Sequence, residues 1–486
     1  MQEKSIEEFA VGNRGLGWVT VLFVMMGISI TASTFTSWFS WGTEEGLIPQ
    51  YYFVLSTLGF LFSYVYARKI WIWGRKFNLL TQPDFIQLRY ECRPLTLFFA
   101  ACSILIEAPW VIMEFASMGM VIQAVTHDAV GAKIGTVIVG IVVVSYILYS
   151  GMKSVAVTEL VQGVISSAVI AIGFIFVVYR LWGGFGPLYQ QVMEAAPDNL
   201  LISHGGDYTY EHWCSLIITG TLGIMAWASF FSRIYTSKSV TDVKRVSAWS
   251  AVICFIFSVM LYTVALGSTT IQSAVDAIGS QTSLFVVADL AFGPVFLGFC
   301  GIVVVAAGMS MVSVIMNSHG VIISENFIKP FYKKGELSSE TRLKIARWSL
   351  LIYSVIGIGI SLADLPALYN IAIIVNEGIC QVVPVLVFGM YWKRSNKYGA
   401  LAGFVAGLVV AISYAALSGS VTWNGGMVGL AVNIVIHVAC GFIFPKDPHV
   451  DELFEVVKNY NAKEEALAAA LKAKNKEAAA AKESME

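Results

Sequence analysis

Apolar residues run through this chain in long blocks, with polar residues bunched between them. A helix that crosses a bilayer needs about 20 mainly apolar residues. Twelve blocks meet that need, over about 16–42, 47–67, 94–126, 130–149, 155–182, 215–236, 243–273, 282–327, 341–362, 367–391, 398–416 and 425–445. The pattern predicts an all-α polytopic membrane protein with 12 transmembrane helices. Several blocks exceed the required length, which predicts tilt, kinks or unwound centres. The longest connection, 183–213, has no Lys or Arg and predicts a short capping structure. Pro445 closes the last block. A charged, Ala-rich tail follows over 446–486, and its stretch EEALAAALKAKNKEAAAAKESME favours a solvated helix.

Composition agrees with this. Only 13% of the 486 residues are charged and 57% are hydrophobic, against about 25% charged in soluble domains. Net charge is −1, so bulk charge predicts no nucleic-acid partner. Lys and Arg set orientation, because cytoplasmic loops carry them in excess. With the N-terminus inside and the blocks alternating, 29 of the 31 basic residues fall on the cytoplasmic side, leaving only Lys133 and Arg180 outside. Both termini are therefore expected in the cytoplasm, and the protein in the cell membrane. The first block is too long for a signal peptide. The seven cysteines are scattered, without CxxC or Cys/His spacing, and predict buried free thiols.

No P-loop, HExxH, GxSxG or metal-spaced His pair is present, so neither an enzyme nor an organic cofactor is expected. The informative residues are the polar ones at membrane depth, which tend to face a bundle interior or cavity. The first block contains SITASTFTSWFS between Gly27 and Gly42. So many hydroxyls favour an interrupted helix whose freed carbonyls can hold a cation. Alternatively, each hydroxyl is packing glue worth about 0.6 kcal/mol. The sixth block has Gly220 and Gly223 around Thr221, with Trp227 and Phe230 after them, and also predicts a break. Interrupted helices at corresponding places in two halves point to a midplane binding site. In the eighth block Ala306, Ser310, Ser313 and Asn317 are spaced i, i+4, i+7 and i+11, so they share one face. That face suits a close helix contact or a hard cation. Glu107 and Glu114 share a face of the third block, as an ion or proton relay or as structural groups. Glu377 lies in a segment with Gly378 and Pro384 and predicts irregular backbone.

Four stretches together resemble the sodium:solute symporter family of bacterial proline, pantothenate, sialic acid and galactose transporters. They are SIEEFAVGNRGLGW, SGMKSVAVTELVQG, AAGMSMVSVIMNS and VVPVLVFGMYWKRSNKYGALAGFVAG, in family order over roughly residues 5–410. The resemblance implies the LeuT-like fold with a five-plus-five inverted-repeat core. The transporter domain would be 1–445, with repeats at about 16–182 and 215–391 and two peripheral C-terminal helices within 398–445, followed by the tail. It implies Na⁺-coupled symport of a small organic solute by alternating access, with sodium and that solute as partners. Sodium would be held by carbonyls of Gly27, Ile30 and Ala307 and by the Ser310 hydroxyl. The family's second hydroxyl falls at Met311, whose thioether is a poor ligand for a hard cation. Glu159 matches the acid of the cation exit path. Substrate contacts would come from Ser29, Ser33, Thr34, Phe53, Ser56, Trp227 and Gln381. Proton coupling through Glu107, Glu114 or Glu159, uncoupled transport, and a transporter-like sensor are the competing readings.

Overall fold

The computed structural model describes residues 5–149, 152–203, 209–332, 336–363, 375–417 and 423–460. Helix dominates it. Among the described residues there is no strand, only an isolated bridge between Leu16 and Ser237. Chain order gives α1 (Ile6–Val11), α2 (Trp18–Met26), α3 (Phe39–Glu45), α4 (Tyr51–Lys76), α5 (Gln82–Tyr90), α6 (Arg93–Val125), α7 (Ala132–Tyr149) and α8 (Met152–Trp182). Then come α9 (Phe185–Ala195), α10 (Tyr210–Ile224), α11 (Ala228–Thr236), α12 (Val240–Ser268), α13 (Gln272–Asp276), α14 (Ser283–Ile322) and α15 (Ser339–Ser361). Helical residues 375–391 and the helices Lys397–Leu417 and Gly425–Ile443 complete the apolar part.

Among the described residues, seven helices are long and apolar enough to cross a membrane, or eight if α10 and α11 form one span bent by 43°. Helix also occupies the remaining predicted blocks, at α2 with α3, α4, α7 and 375–391. The connection 183–213 carries α9, an amphipathic cap whose Leu188 and Val192 are buried. The lone strong kink inside α14 is at Gly293, where φ is 75° ahead of Pro294. Proline cannot continue the ladder there, and glycine accepts the left-handed backbone.

Two groups of helices pack among themselves. One is α4 against α10 and α12, with α2 also on α12. The other is α6 with α7, α14 and α15. The α8 helix touches both, lying on α2, α12 and α14. Lys397–Leu417 and Gly425–Ile443 pair mainly with each other.

The α5 helix is pinned by Arg89, which is 1% exposed. Its Nε donates to the Gly389 carbonyl (2.8 Å), Nη2 to the Ser395 carbonyl (2.8 Å) and Nη1 approaches Asp447 (3.4 Å). A buried guanidinium is tolerable only with such a full set of acceptors. The tail begins with helical residues 450–460, docked through buried Val450, Leu453 and Val457. The Trp73 indole of α4 donates to the Leu453 carbonyl at 3.0 Å. The stretch expected to form a solvated helix lies outside the described residues, as does the start of the tenth block.

Candidate functional site

The site is built around two interrupted helices and the helix that holds both. The first block is α2 and α3 separated by a non-helical turn over 27–31 and a π-helical segment, Thr34–Trp38. Where the chain turns back toward helix, the Glu114 carboxylate of α6 receives it. The Ala32 amide donates to Glu114 at 2.8 Å, and the Ser33 amide at 3.3 Å. The Ser33 hydroxyl donates to the same carboxylate at 2.5 Å. A carboxylate at a helix start satisfies orphan N–H groups and matches the positive end of the dipole.

The second break repeats this arrangement. The α10 helix stops at Ile224 and α11 restarts at Ala228, whose amide donates to the Glu107 carboxylate at 2.5 Å. Here the acceptor side is served too, because Gln82 Nε2 donates to the Ala226 carbonyl at 2.9 Å. Glu107 and Glu114, which the sequence left open as relay or structural groups, thus each cap one restarting helix.

The two breaks differ in what is left over. In the first, Gly27 and Ile30 of the turn line a cavity of about 30 Å³ together with Phe23, Met26, Ala307, Ser310 and Glu159. That volume suits one water-sized particle or one dehydrated alkali cation. The Ser310 hydroxyl is so close to the turn that a Cβ on Gly27 would lie 2.2 Å from Ser310 Oγ. Only glycine permits this approach. Glu159 is 2% exposed and accepts from Ser313 Oγ at 3.3 Å. Its Oε2 has no hydrogen-bond partner. Ser313 also donates to the Ser310 carbonyl at 2.8 Å, and Asn317 Nδ2 to the Phe9 carbonyl at 3.1 Å. The polar face of α14 therefore serves the cavity at Ser310 and helix contacts below it. Met311 is fully buried in the hydrophobic core and does not line the cavity.

The residues expected to contact substrate divide. Phe53 and Trp227 belong to one aromatic cluster. Phe53 meets Tyr52 and Tyr262 edge-on at 5.3 and 5.1 Å. Tyr52 stacks on Trp38 at 4.2 Å and lies 6.2 Å from Trp110, which meets Trp227 at 5.3 Å. The indole N–H groups of Trp38 and Trp110 are buried without a partner. Ser29 is buried, and its carbonyl accepts from Thr34 Oγ1 at 3.3 Å. Ser56 donates back to the Tyr52 carbonyl at 2.8 Å. Gln381 stands apart. Its amide donates to the Gly426 carbonyl at 2.9 Å, and a Cβ on Gly407 would meet its Oε1 at 2.4 Å. It faces the helices Lys397–Leu417 and Gly425–Ile443, because small residues there let the amide in. Sequence reasoning also missed Arg233. Counted with the cytoplasmic charges, it is fully buried and within electrostatic reach of Glu159 and Glu107. An Arg two residues past the Phe230–Phe231 pair, inside an apolar block, was the available signal.

Comparison with known proteins follows this geometry. The sequence model of the sodium:solute symporter family matches residues 9–407. The symporter YhjB of Bacillus subtilis is 21% identical, covering 92% of this chain and 93% of that protein. The osmoregulated proline transporter OpuE of Bacillus subtilis is 25% identical, covering 83% of this chain and 82% of that protein. The monocarboxylic acid transporter of Corynebacterium glutamicum is 21% identical, covering 72% and 68%. Among solved structures, a Na⁺-coupled sialic acid symporter in a substrate-bound outward-open state has TM-score 0.77 at 14% identity, covering 92% of this chain and 94% of that one. The nucleobase-cation-symport transporter Mhp1 has TM-score 0.59 at 12% identity, covering 92% and 98%. These likenesses place the chain in the all-helical LeuT-like transporter fold.

Proposed function

The chain belongs to the sodium:solute symporter family, and from that premise we infer that this multi-pass membrane protein is a Na⁺-coupled symporter of a small organic solute. One observation carries the coupling ion. Gly27 and Ile30 of the first break line one small cavity with Ser310 and Glu159, and the Glu159 Oε2 there has no hydrogen-bond partner. A buried carboxylate oxygen without a partner, beside a hydroxyl, would be satisfied by a hard cation. Gly27, Ile30, Ala307 and Ser310 would hold sodium, and Glu159 would receive it on the way to the cytoplasm. Met311 is outside the ligand set in this reading. Entry of one cation supplies about 2.3 kcal/mol per 100 mV of membrane potential.

The architecture that suits this is twelve crossings with both termini cytoplasmic in the cell membrane, repeats over 16–182 and 215–391, and peripheral helices over 398–445. The tail would follow over 446–486. The group of α2, α4, α10 and α12 would rock against that of α6, α7, α14 and α15 to alternate access.

The relatives' named solutes, proline, monocarboxylic acids and sialic acid, each carry a carboxylate. The partnerless indole N–H groups of Trp38 and Trp110, in the cluster with Phe53 and Trp227, are donors that a carboxylate would satisfy. Ser29, Ser33, Thr34 and Ser56 would lie near, while Gln381 belongs to the peripheral contact. The test is counterflow and gradient-driven uptake in proteoliposomes, with labelled proline, short monocarboxylates and sialic acid. Uptake should require an inward sodium gradient and fail with choline. Equal uptake in choline at fixed pH overturns sodium coupling, and uptake that follows a proton gradient instead selects proton coupling.

A further inference from the structure

The amide of Gln82 joins two parts of the molecule that a rocking motion would separate. Gln82 opens α5, the short helix between α4 and α6, and is fully buried there. Burying so polar a side chain is costly without a partner. Its Nε2 donates to the Ala226 carbonyl at 2.9 Å, inside the break between α10 and α11. Its Oε1 has no hydrogen-bond partner, so the bond to Ala226 is what fixes the amide. Beside it Phe85 of α5 meets Phe231 of α11 at 5.8 Å. The same end of α5 is fastened in the other direction. Thr81 and Asp84 form a reciprocal cap at its start. The Thr81 hydroxyl donates to Asn326 Oδ1 at 2.9 Å, and Asn326 Nδ2 donates to Asp84 Oδ1 at 2.7 Å. Asn326 lies in the π-helical turn Ile323–Ile328 that continues α14. The α5 helix also packs on α6, whereas α10 packs on α4. The bond from Gln82 to Ala226 therefore crosses from one group of helices to the other.

We propose that Gln82 is a positioning residue for alternating access, a latch that holds the α10–α11 break shut on the side covered by α5. It must let go of the Ala226 carbonyl before that side opens. This rests on the alternating-access reading above, in whose topology that side is the cytoplasmic one. With the side closed, the carbonyl is buried and needs the amide. With it open, water serves the carbonyl instead. The bond thus favours one state over the other, which is the condition for it to shift their balance. Removing the donor leaves the carbonyl unpaired in the closed state alone, and should raise the open fraction roughly 5- to 100-fold. The latch transmits force only because α5 is tied to α14 at Asn326. Cutting either end should therefore release the same motion.

The experiment is hydrogen exchange by mass spectrometry on the purified full-length protein, in choline chloride at fixed pH. Peptides covering 225–236 and 317–329 follow the two walls of the opening, and peptides within α12 report overall stability. Gln82→Met keeps the length of the side chain and removes the donor. It is expected to speed exchange on both walls, roughly 5- to 100-fold, with α12 unchanged. Asn326→Ala cuts the other end and serves if the first variant does not purify. It is expected to speed exchange over 225–236, although Asn326 bonds to α5 and not to that segment. A merely local packing role for Gln82 would not move that readout. Exchange in Gln82→Met equal to wild type overturns the proposal, as does a rise confined to 225–236. An Asn326→Ala protein unchanged over 225–236 overturns it too. Failure of the sodium reading shows instead in the uptake assay and leaves these rates as they are.

Discussion

The approach of Ser310 to Gly27 is the tightest part of the cavity and gives the sharpest prediction. Gly27 has φ −59° and ψ −12°, a backbone that any residue adopts. On propensity alone, alanine would stabilise the turn by roughly 0.5–1 kcal/mol. The added Cβ, however, would lie 2.2 Å from Ser310 Oγ, with Ser310 Cβ at 3.3 Å and the Val24 carbonyl at 3.7 Å. Overpacking of this kind costs about 1–3 kcal/mol, so Gly27→Ala should be destabilising in spite of propensity. Removing the hydroxyl removes the clash, because the next contact is tight but tolerable. Gly27→Ala in a Ser310→Ala background should then cost little, a coupling of about 1–2 kcal/mol between touching sites. Thermal unfolding of the four purified proteins in choline chloride measures this. The order expected is wild type and Ser310→Ala high, the double variant close below them, and Gly27→Ala lowest. A double variant that melts as low as Gly27→Ala would refute the geometry, as would a Gly27→Ala protein that melts like wild type.

Other consequences are simpler. Ser310→Ala removes a ligand oxygen worth about 1.5–3 kcal/mol toward a charge, so half-saturating sodium in a ²²Na⁺ binding assay should rise roughly 10- to 100-fold; an unchanged value removes the residue from the site. Met311→Ser empties a fully buried core position and should cost about 2–4 kcal/mol of stability without tightening sodium binding; tighter binding would place the side chain in the cavity after all. Glu114→Gln leaves an acceptor for only one of the Ala32 and Ser33 amides, which bind different carboxylate oxygens, so a stability loss of about 1–3 kcal/mol is expected, with Glu114→Ala worse. Leu453→Asp puts a charge into the docked face of 450–460 and should release it to limited proteolysis; protection equal to wild type would show that the Trp73 contact alone suffices.

Much of this arrangement was legible in the sequence, and the limits have a physical cause. Block lengths forecast the helices, because they follow from bilayer thickness. Gly27 and the hydroxyl run, and Gly220 with Gly223, forecast two breaks, and the non-helical stretches 27–31 and 225–227 lie there. The partners that fix those breaks were not legible. Glu114 is 82 residues from Ala32 and Glu107 is 121 from Ala228. Spacing within α6 shows only that the two acids share a face, not what that face meets. The same limit hid the surroundings of Gln381, since its neighbours Gly407, Gly426 and Asn433 come from helices with no local tie to it.

The seven-residue separation of Glu107 and Glu114 still has a consequence once their partners are known. Seven residues at 1.5 Å per residue put the two caps about 10 Å apart along α6. One helix thereby sets the relative height at which both broken spans resume. It holds them by three carboxylate–amide bonds, to Ala32, Ser33 and Ala228. A displacement of α6 against the group of α2, α4, α10 and α12 cannot pass these caps without stretching or exchanging them. The cavity at Ser310 lies beside the break that Glu114 caps, so a movement there acts on the helix that also carries the other cap.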